Sequence, residues 1–192
     1  KPYTIKDEHL SDICVQCNEG GDYYSISRQL IAKMPRSKIL YNLPKSAMHL
    51  FTNNQHVGGK VFIAKQGMKT FSDFRFLRSR FEVDPNKIGK GKKWIPIAKG
   101  GAFATFYSDL PLLVNWMNEG AQICEVNRRV NGQTAQARQA SIHYYRPGGT
   151  YSRRCKDFGV RVMPSGFVIG EKGPAILPLP EYTPVLVVGL MN

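Results

Sequence analysis

Apolar residues recur at helical spacing in one early segment and in short, turn-bounded runs after residue 57. Residues 23–34 place Ile26, Leu30, Ile31 and Met34 at that spacing, which predicts a helix. Residues 1–22 before it are polar and irregular and read as a connector or insertion. Ile39-Leu40-Tyr41 suits a short strand. Pro44 opens a short predicted helix over 46–51, since proline fits the first helical turn. Strands are then predicted at 61–64, around Phe76, Phe81 and Val83, and at 94–97, 112–116 and 142–145. Residues 118–129 predict a helix, 131–140 a polar loop, and 87–93 a flexible basic loop. Val160-Arg161-Val162-Met163 and Gly166-Phe167-Val168-Ile169 flank Pro164-Ser165, a hairpin signal.

Many short strands with few helices predict an α+β or mainly β domain. The expected organisation is a connector over 1–22, one domain over 23–182, and the start of a truncated apolar helix over 183–192. Gly-Gly pairs begin at 20, 58, 100 and 148, but their spacing drifts and their flanks differ, so no repeat is inferred.

Charge changes this picture most. The chain has 192 residues, with 27 Lys and Arg against 14 Asp and Glu. Residues 60–99 hold 11 basic and 3 acidic residues, and residues 125–172 hold 9 and 3. These two blocks account for the whole excess. Concentrated positive charge is the footprint of a polyanion partner, with nucleic acid foremost. An anionic membrane fits less well, because no basic amphipathic helix is evident. No apolar run is long enough to span a membrane. Lys1-Pro2-Tyr3-Thr4 lacks the apolar core of a secretion signal, so a cytoplasmic location is expected. The chain also lacks a starting Met and is read as a piece of a longer protein.

Cys14, Cys17, Cys124 and Cys155 suit neither a disulfide scaffold nor a full zinc site. One CxxC occurs without a second, and His49 and His56 could only in principle complete a set. Reduced thiols and no metal are expected. Catalytic motifs are missing too. There is no Asp/Asn-Pro-Pro-aromatic loop, and Gly170-Glu171-Lys172-Gly173 lacks phosphate-loop spacing. His143, beside Ile142 and Tyr144, reads as a core histidine. No catalytic residue is expected in these 192 residues.

Binding chemistry is richer. Residues 146–161 combine Arg146, Gly148, Gly149, Thr150, Tyr151, Ser152, Arg153, Arg154, Lys156 and Arg161. Arginine can grip guanine O6 and N7 with two hydrogen bonds. Serine and threonine donate to bases or phosphates. Lys65, Gln66, Lys69 and Thr70 follow a strand and share one rim, with Arg75, Arg78 and Arg80 next. In an extended segment Arg78 and Arg80 would point to one face, and Phe74 and Phe76 would share a face opposite to that of Arg75. Trp94, Phe103, Trp116 and Phe167 read as core.

The residues then show a resemblance. Gln66-Gly67 followed by Arg75-Phe76-Leu77-Arg78 resembles the "QG…(D/N)RFLR" segment of large DNA methyltransferases. Lys99-Gly100-Gly101-Ala102-Phe103, Tyr107, and Val114-Asn115-Trp116 with Asn118 and Gly120 resemble "KGG-x-F…WYGN…VVNW-x-N-x-G". Tyr145-Arg146-Pro147-Gly148-Gly149-Thr150-Tyr151 resembles "(F/Y)RPG-(L/I)-TW". Val160-Arg161-Val162-Met163-Pro164-Ser165-Gly166-Phe167, with Gly173-Pro174-Ala175-Ile176, resembles "(V/A)R-x-x-P-x-G-x-(I/L)-F…(K/A)GP-x-(I/F)". The four segments occur in order over about residues 60–180. Gly149 stands where Leu or Ile is usual, and Tyr151 where Trp is common.

The family comprises BREX-type phage-defence methyltransferases and fused type IIG restriction-modification enzymes. The resemblance implies an α+β target-recognition domain like a DNA-methylase specificity domain, with mainly antiparallel, strongly curved sheets. It implies a parent enzyme that methylates adenine, using S-adenosylmethionine held in a catalytic domain outside this chain. The target base would be flipped from the duplex, since its amine is unreachable in the stack. The implied base contacts are Arg146, Thr150, Tyr151, Ser152, Arg153, Arg154, Lys156 and Arg161. The implied phosphate contacts are Lys65, Gln66, Lys69, Thr70, Arg75, Arg78, Lys99, Gly100 and Gly101. The expected partner is double-stranded DNA, with further defence subunits reached through the parent.

Two other classes stay open. One is a stand-alone RNA- or single-stranded-DNA-binding protein, which needs exposed aromatics such as Tyr144, Tyr145 and Tyr151 on a sheet. The other is a protein-interaction domain bound by an acidic DNA mimic. The duplex reading requires both basic blocks to meet on one surface. It also requires the stretch around Tyr151 to stay out of the core.

Overall fold

Ala175-Ile176-Leu177-Pro178 are all buried, although a strand presents alternate side chains to opposite faces. The computed structural model, which describes residues 12–16, 23–34 and 58–192, shows both faces covered. The chain divides into two compact units, Lys1–His56 and Val57–Asn192.

In the first unit, β1 (Asp12–Gln16) pairs antiparallel with β2 (Tyr23–Ser27). Helix α1 (Arg28–Lys33) follows directly. The helix predicted from residue 23 thus starts only at Arg28, because the preceding Tyr23-Tyr24-Ser25-Ile26 is rich in strand-favouring types. The connector predicted over 1–22 contains β1. Ile31 and Met34 are buried. The elements predicted at 39–41 and 46–51 lie outside the described residues, as do Cys17, His49 and His56.

The second unit is α+β, with two four-stranded sheets and few helices. The first sheet has the order β3 (Phe62–Lys65), β10 (Ala175–Pro178), β7 (Gly148–Tyr151), β8 (Val160–Met163), all antiparallel. The second has the order β4 (Leu77–Ser79), β6 (Leu112–Asn115), β5 (Trp94–Ala98), β9 (Val168–Ile169). Its pairs are antiparallel except β5 with β9. Neither sheet closes into a barrel.

Three further helices complete the unit. Helix α2 (Asp73–Phe76) is one turn that buries Phe76. Helix α3 (Met117–Asn131) opens with Asn118, Glu119 and Gly120 in left-handed conformation and buries Gly120, Ile123 and Asn127. Its C-terminus is capped by Gly132 at φ 67°, whose N–H donates to the Arg128 carbonyl at 2.8 Å. Helix α4 (Pro184–Met191) has Thr183 as its cap, accepting from Leu186 N, and proline in its first turn.

The main core holds Met68, Phe76, Ile95, Ile97, Val114, Trp116, Ile123, Tyr144, Met163, Ile169 and Leu177. A second cluster joins Phe62, Val160 and Ile176 of the first sheet to Val187 and Val188 of α4. Thus β10 sends Ala175 and Leu177 to one core and Ile176 to the other.

Three strand expectations fail for identifiable reasons. Around Phe76, Phe81 and Val83 only Leu77–Ser79 is extended, because Phe76 closes α2 and Phe81 lies in a 3-10 turn (Arg80–Glu82). Residues 160–163 and 166–169 do not form a hairpin. Strand β8 pairs with β7, whereas β9 crosses to β5 in the other sheet. The Gly166 turn between them is instead fastened to Tyr145, whose N–H donates to Phe167 O while Gly166 N donates to Tyr145 O. The apolar run at 142–145 is a 3-10 turn (Ser141–His143) followed by Tyr145 at φ 68°. Tertiary contact overrides the local pattern there, with Tyr144 drawn into the core beside Trp116.

Between β3 and Phe76 the chain crosses from one sheet to the other through Gly67 and Met68. Met68 N donates to Ile169 O at 2.9 Å, and Glu171 N donates to Met68 O at 2.9 Å. A Cβ on Gly67 would lie 1.8 Å from the Ile169 carbonyl oxygen. We therefore expect Gly67→Ala to destabilise the fold by about 3 kcal/mol or more, among the larger effects of a single substitution. Urea unfolding monitored by tryptophan fluorescence measures it, and a loss under about 1 kcal/mol would contradict the tight crossing.

Candidate nucleic-acid interface

Three loops meet where β9 is laced into the second sheet: residues 66–73, 98–102 and 170–173. Gly170 N donates to Ala98 O at 2.8 Å, and Met68 bridges Gly170 from the other side. This backbone scaffold brings cations of both basic blocks together. Lys69 Nζ lies 3.7 Å from Glu171 Oε1, and Arg153 Nη1 lies 3.0 Å from the same oxygen. Lys99 pairs with Asp73, which also accepts from Thr70. Arg153 N donates to the Lys172 carbonyl at 3.1 Å, and Ser152 Oγ to the Gly101 carbonyl at 2.7 Å. Lys69, Lys99, Arg153 and Lys172 thus surround Asp73 and Glu171, leaving the patch net positive.

Asp73 feels that charge. Burial raises its pKa, but hydrogen bonds from Lys99 and Thr70 and the charges of Lys99 and Lys172 outweigh burial and hold it below the ordinary carboxylate value.

Next to the patch, the turn between β7 and β8 exposes Arg153, Arg154, Cys155 and Lys156. The stretch around Tyr151 meets the requirement that it stay out of the core only in part. Gly148, Gly149 and Thr150 are buried in β7, and Tyr151 is half-buried against the second core cluster and Phe158. Only residues 152–158 of this stretch form a continuous solvent-reached surface. Thr150 hydroxyl donates to Pro174 O at 3.0 Å and is committed to holding β7 in place. Arg161 lies in β8, is only 2% exposed, and has Nη1 3.4 Å from the Ala102 carbonyl.

Other expected contacts fall into separate surroundings. Lys65 and Gln66 line a cavity of about 500 Å³ with Arg138 and His143. His143 is half-buried there and not a core residue. Burial first, then the charges of Lys65 and Arg146, lower its pKa. Arg146 Nη2 donates to Pro178 O at 2.9 Å. Thr70 is buried. Arg75 lies over the Phe76 ring and lines a groove with Gln122, Glu125 and Arg129. Arg78 Nη1 donates to the Phe74 and Leu77 carbonyls at 2.8 and 2.6 Å, and the guanidinium lies near the Trp94 ring. The expected alternation over 74–80 gives way to the helical turn α2 and a 3-10 turn at Arg80–Glu82. Phe74 is 93% exposed while Phe76 is buried.

Sequence reasoning missed Asp73, Glu171, Lys172 and Arg138. Glu171 and Lys172 had a signal: they sit between two glycines, just before the Gly-Pro that opens β10. Of the four residues expected in the core, Trp116 and Phe167 are buried and Trp94 is half-buried under Arg78 and Lys93. Phe103 is instead 49% exposed beside Gly159.

Among the described residues no group of three or more His, Cys, Asp or Glu is placed to hold a metal ion. Among them, too, no helix is long and apolar enough to cross a membrane.

No family model matches the chain. It is similar to part of two adenine-specific methyltransferases. One is PglX of Lacticaseibacillus casei (strain Zhang), 27% identical over 160 residues, which covers 78% of this chain and 13% of that protein. The other is BrxX of Escherichia coli O9:H4 (strain HS), 31% identical over 150 residues, covering 75% of this chain and 12% of that protein. The chain therefore spans about an eighth of the length of these relatives.

The Asp73 environment sets a pH dependence. Its pKa in the fold lies below the ordinary 3.8, so its contribution is fully present above that value and is lost as pH falls through the lower, folded one. Wild type should be more stable than Asp73→Asn at pH 7 by at most about 1 kcal/mol, because water reaches the pair. The difference should shrink as pH is taken below 3.8 and through the lower folded value, read as the gap between urea midpoints; an equal gap at pH 7 and in strong acid would contradict the assigned ion pair.

Proposed function

We propose that residues 57–192 form a duplex-DNA recognition module of an adenine-specific DNA methyltransferase from a phage-defence or restriction-modification system. In this reading the catalytic domain, with S-adenosylmethionine, belongs to other parts of the parent protein. The observation that carries it is the meeting of the two basic blocks on Glu171, through Lys69 and Arg153. Likeness to PglX and BrxX supports the parent activity.

The proposed roles divide by exposure. Arg153, Arg154 and Lys156, on the exposed turn, are the base readers in this scheme. Lys69, Lys99 and Lys172, with the Gly100 and Gly101 backbone, lie beside them to fix phosphates and hence register. Lys65, Gln66, Arg138 and Arg146 offer a second backbone contact. Tyr151 and Thr150 act from within, by holding β7 under the turn. Arg75 and Arg78 belong to the periphery.

One observation favours a second reading. Phe103, Phe106, Tyr107 and Phe158 are exposed near β8 and the basic turn. Aromatic groups beside cations are also how unpaired bases are bound. Competition decides between the two: a duplex reader is displaced by duplex, a single-strand binder by single strands.

The direct test is a salt titration of the chain with labelled duplex. If about four to six phosphates are neutralised, log K should fall against log salt with a slope of about −4 to −5. Replacing Arg153, Arg154 and Lys156 together by Ala should weaken binding roughly tenfold or more at low salt. A slope near zero removes the DNA reading; binding outcompeted only by single strands transfers it to the second.

A further inference from the structure

Arg161 is the least explained charge in the molecule. It faces Thr150 across the β7–β8 pair and is almost fully buried. Nη1 reaches the Ala102 carbonyl at 3.4 Å, while Nε and Nη2 reach no acceptor. Among the described residues no carboxylate pairs with it. Guanidinium does not shed its proton to escape such a site. A buried charge with idle donors is costly, so its retention calls for an acceptor.

Its cover is a glycine loop. Both Nη atoms would lie 3.7 Å from a Cβ built on Gly101. Gly100 and Gly101 have φ of 86° and 132°, conformations side chains rarely adopt. Ser152 Oγ donates to Gly101 O and ties the loop to the segment after β7. Around it stand Lys99, Arg153 and Lys172.

We propose that Arg161 is the floor of a phosphate-binding site, closed by the glycine loop in the free protein and opened for one phosphate of the nucleic-acid backbone. Nε and Nη2 share one edge of the guanidinium, and that fork matches two oxygens of a phosphate. A stacked base edge cannot pass beneath a loop, whereas a phosphate protrudes from the duplex. The site rests on the DNA reading for its natural ligand but not for its chemistry.

Arginine side-chain NMR on the full chain tests it. The Arg161 Nε–H signal is assigned by its loss in Arg161→Gln. Inorganic phosphate, with chloride at equal ionic strength as control, is titrated in one arm. A short duplex is titrated in the other, with binding followed independently by anisotropy. Phosphate and duplex should both shift the signal and slow its exchange, and chloride should do neither. Arg161→Gln should weaken duplex binding roughly tenfold and equally for unrelated sequences, as loss of a phosphate contact does. If that variant does not fold, the signal is assigned by through-bond correlation to the Arg161 backbone, and the wild-type titrations decide. A signal unmoved by both ligands while the duplex binds overturns the site and leaves the DNA reading intact. A signal moved by duplex only overturns it in favour of a base contact. A phosphate response without duplex binding upholds the site and removes the DNA reading.

Discussion

Backbone meets backbone around β9 with no room for side chains. A Cβ on Gly170 would lie 2.5 Å from Ala98 O, and one on Gly173 would lie 2.4 Å from Gly100 N. With the Gly67 crossing, these contacts press three distant segments into one ridge. The loops carrying Lys69, Lys99 and Lys172 leave that ridge within a residue or two. Their positions are therefore set by the main chain and not by flexible side-chain choice. Placement of this kind lowers the ordering cost of binding, which otherwise subtracts from affinity.

The patch is held by a minority of acids. Asp73 and Glu171 each bind more than one cationic or donor group, so two carboxylates organise three cations and the Thr70 hydroxyl. Arg128 and Arg129 are handled differently, both paired to Glu125 on the exposed side of α3. Such solvent-reached pairs contribute little to stability. Their spacing of three and four residues explains them without any ligand. The total charge of the second block thus overstates how much of it lies on the patch.

Much of the second unit was legible in the sequence. The strands at 62–65, 94–98, 112–115 and 160–163 and the helices at 117–131 and 184–191 follow from apolar runs and spacing. What local pattern could not give was partnership. Nothing in Gly166-Phe167-Val168-Ile169 says that it joins a parallel neighbour in another sheet. Alternation also misplaced Phe74 and Arg78, because one helical turn shifts every later side chain. For the site, residue types showed where charge is dense but not which groups are buried. Thr150 and Arg161 looked like neighbours of Ser152 and Arg153 in function. They lie instead in paired central positions of β7 and β8, one step below the surface. Glu171 escaped notice because an acid in a basic region reads as noise until two cations share it.

Strand β8 ends the first sheet, yet its outer edge is occupied. Phe106 N donates to Val160 O and Val162 N to Phe106 O, both at 2.8 Å, and the Asn192 side chain also bonds to Val160 N and O. An unpaired edge is a template on which further chains can add, and sealing it guards against runaway self-association. At Val162 the seal is supplied by the same segment that follows the glycine loop. Any opening of that loop large enough to pull Phe106 away would bare the edge, which sets an upper bound on how far it can swing before solubility suffers.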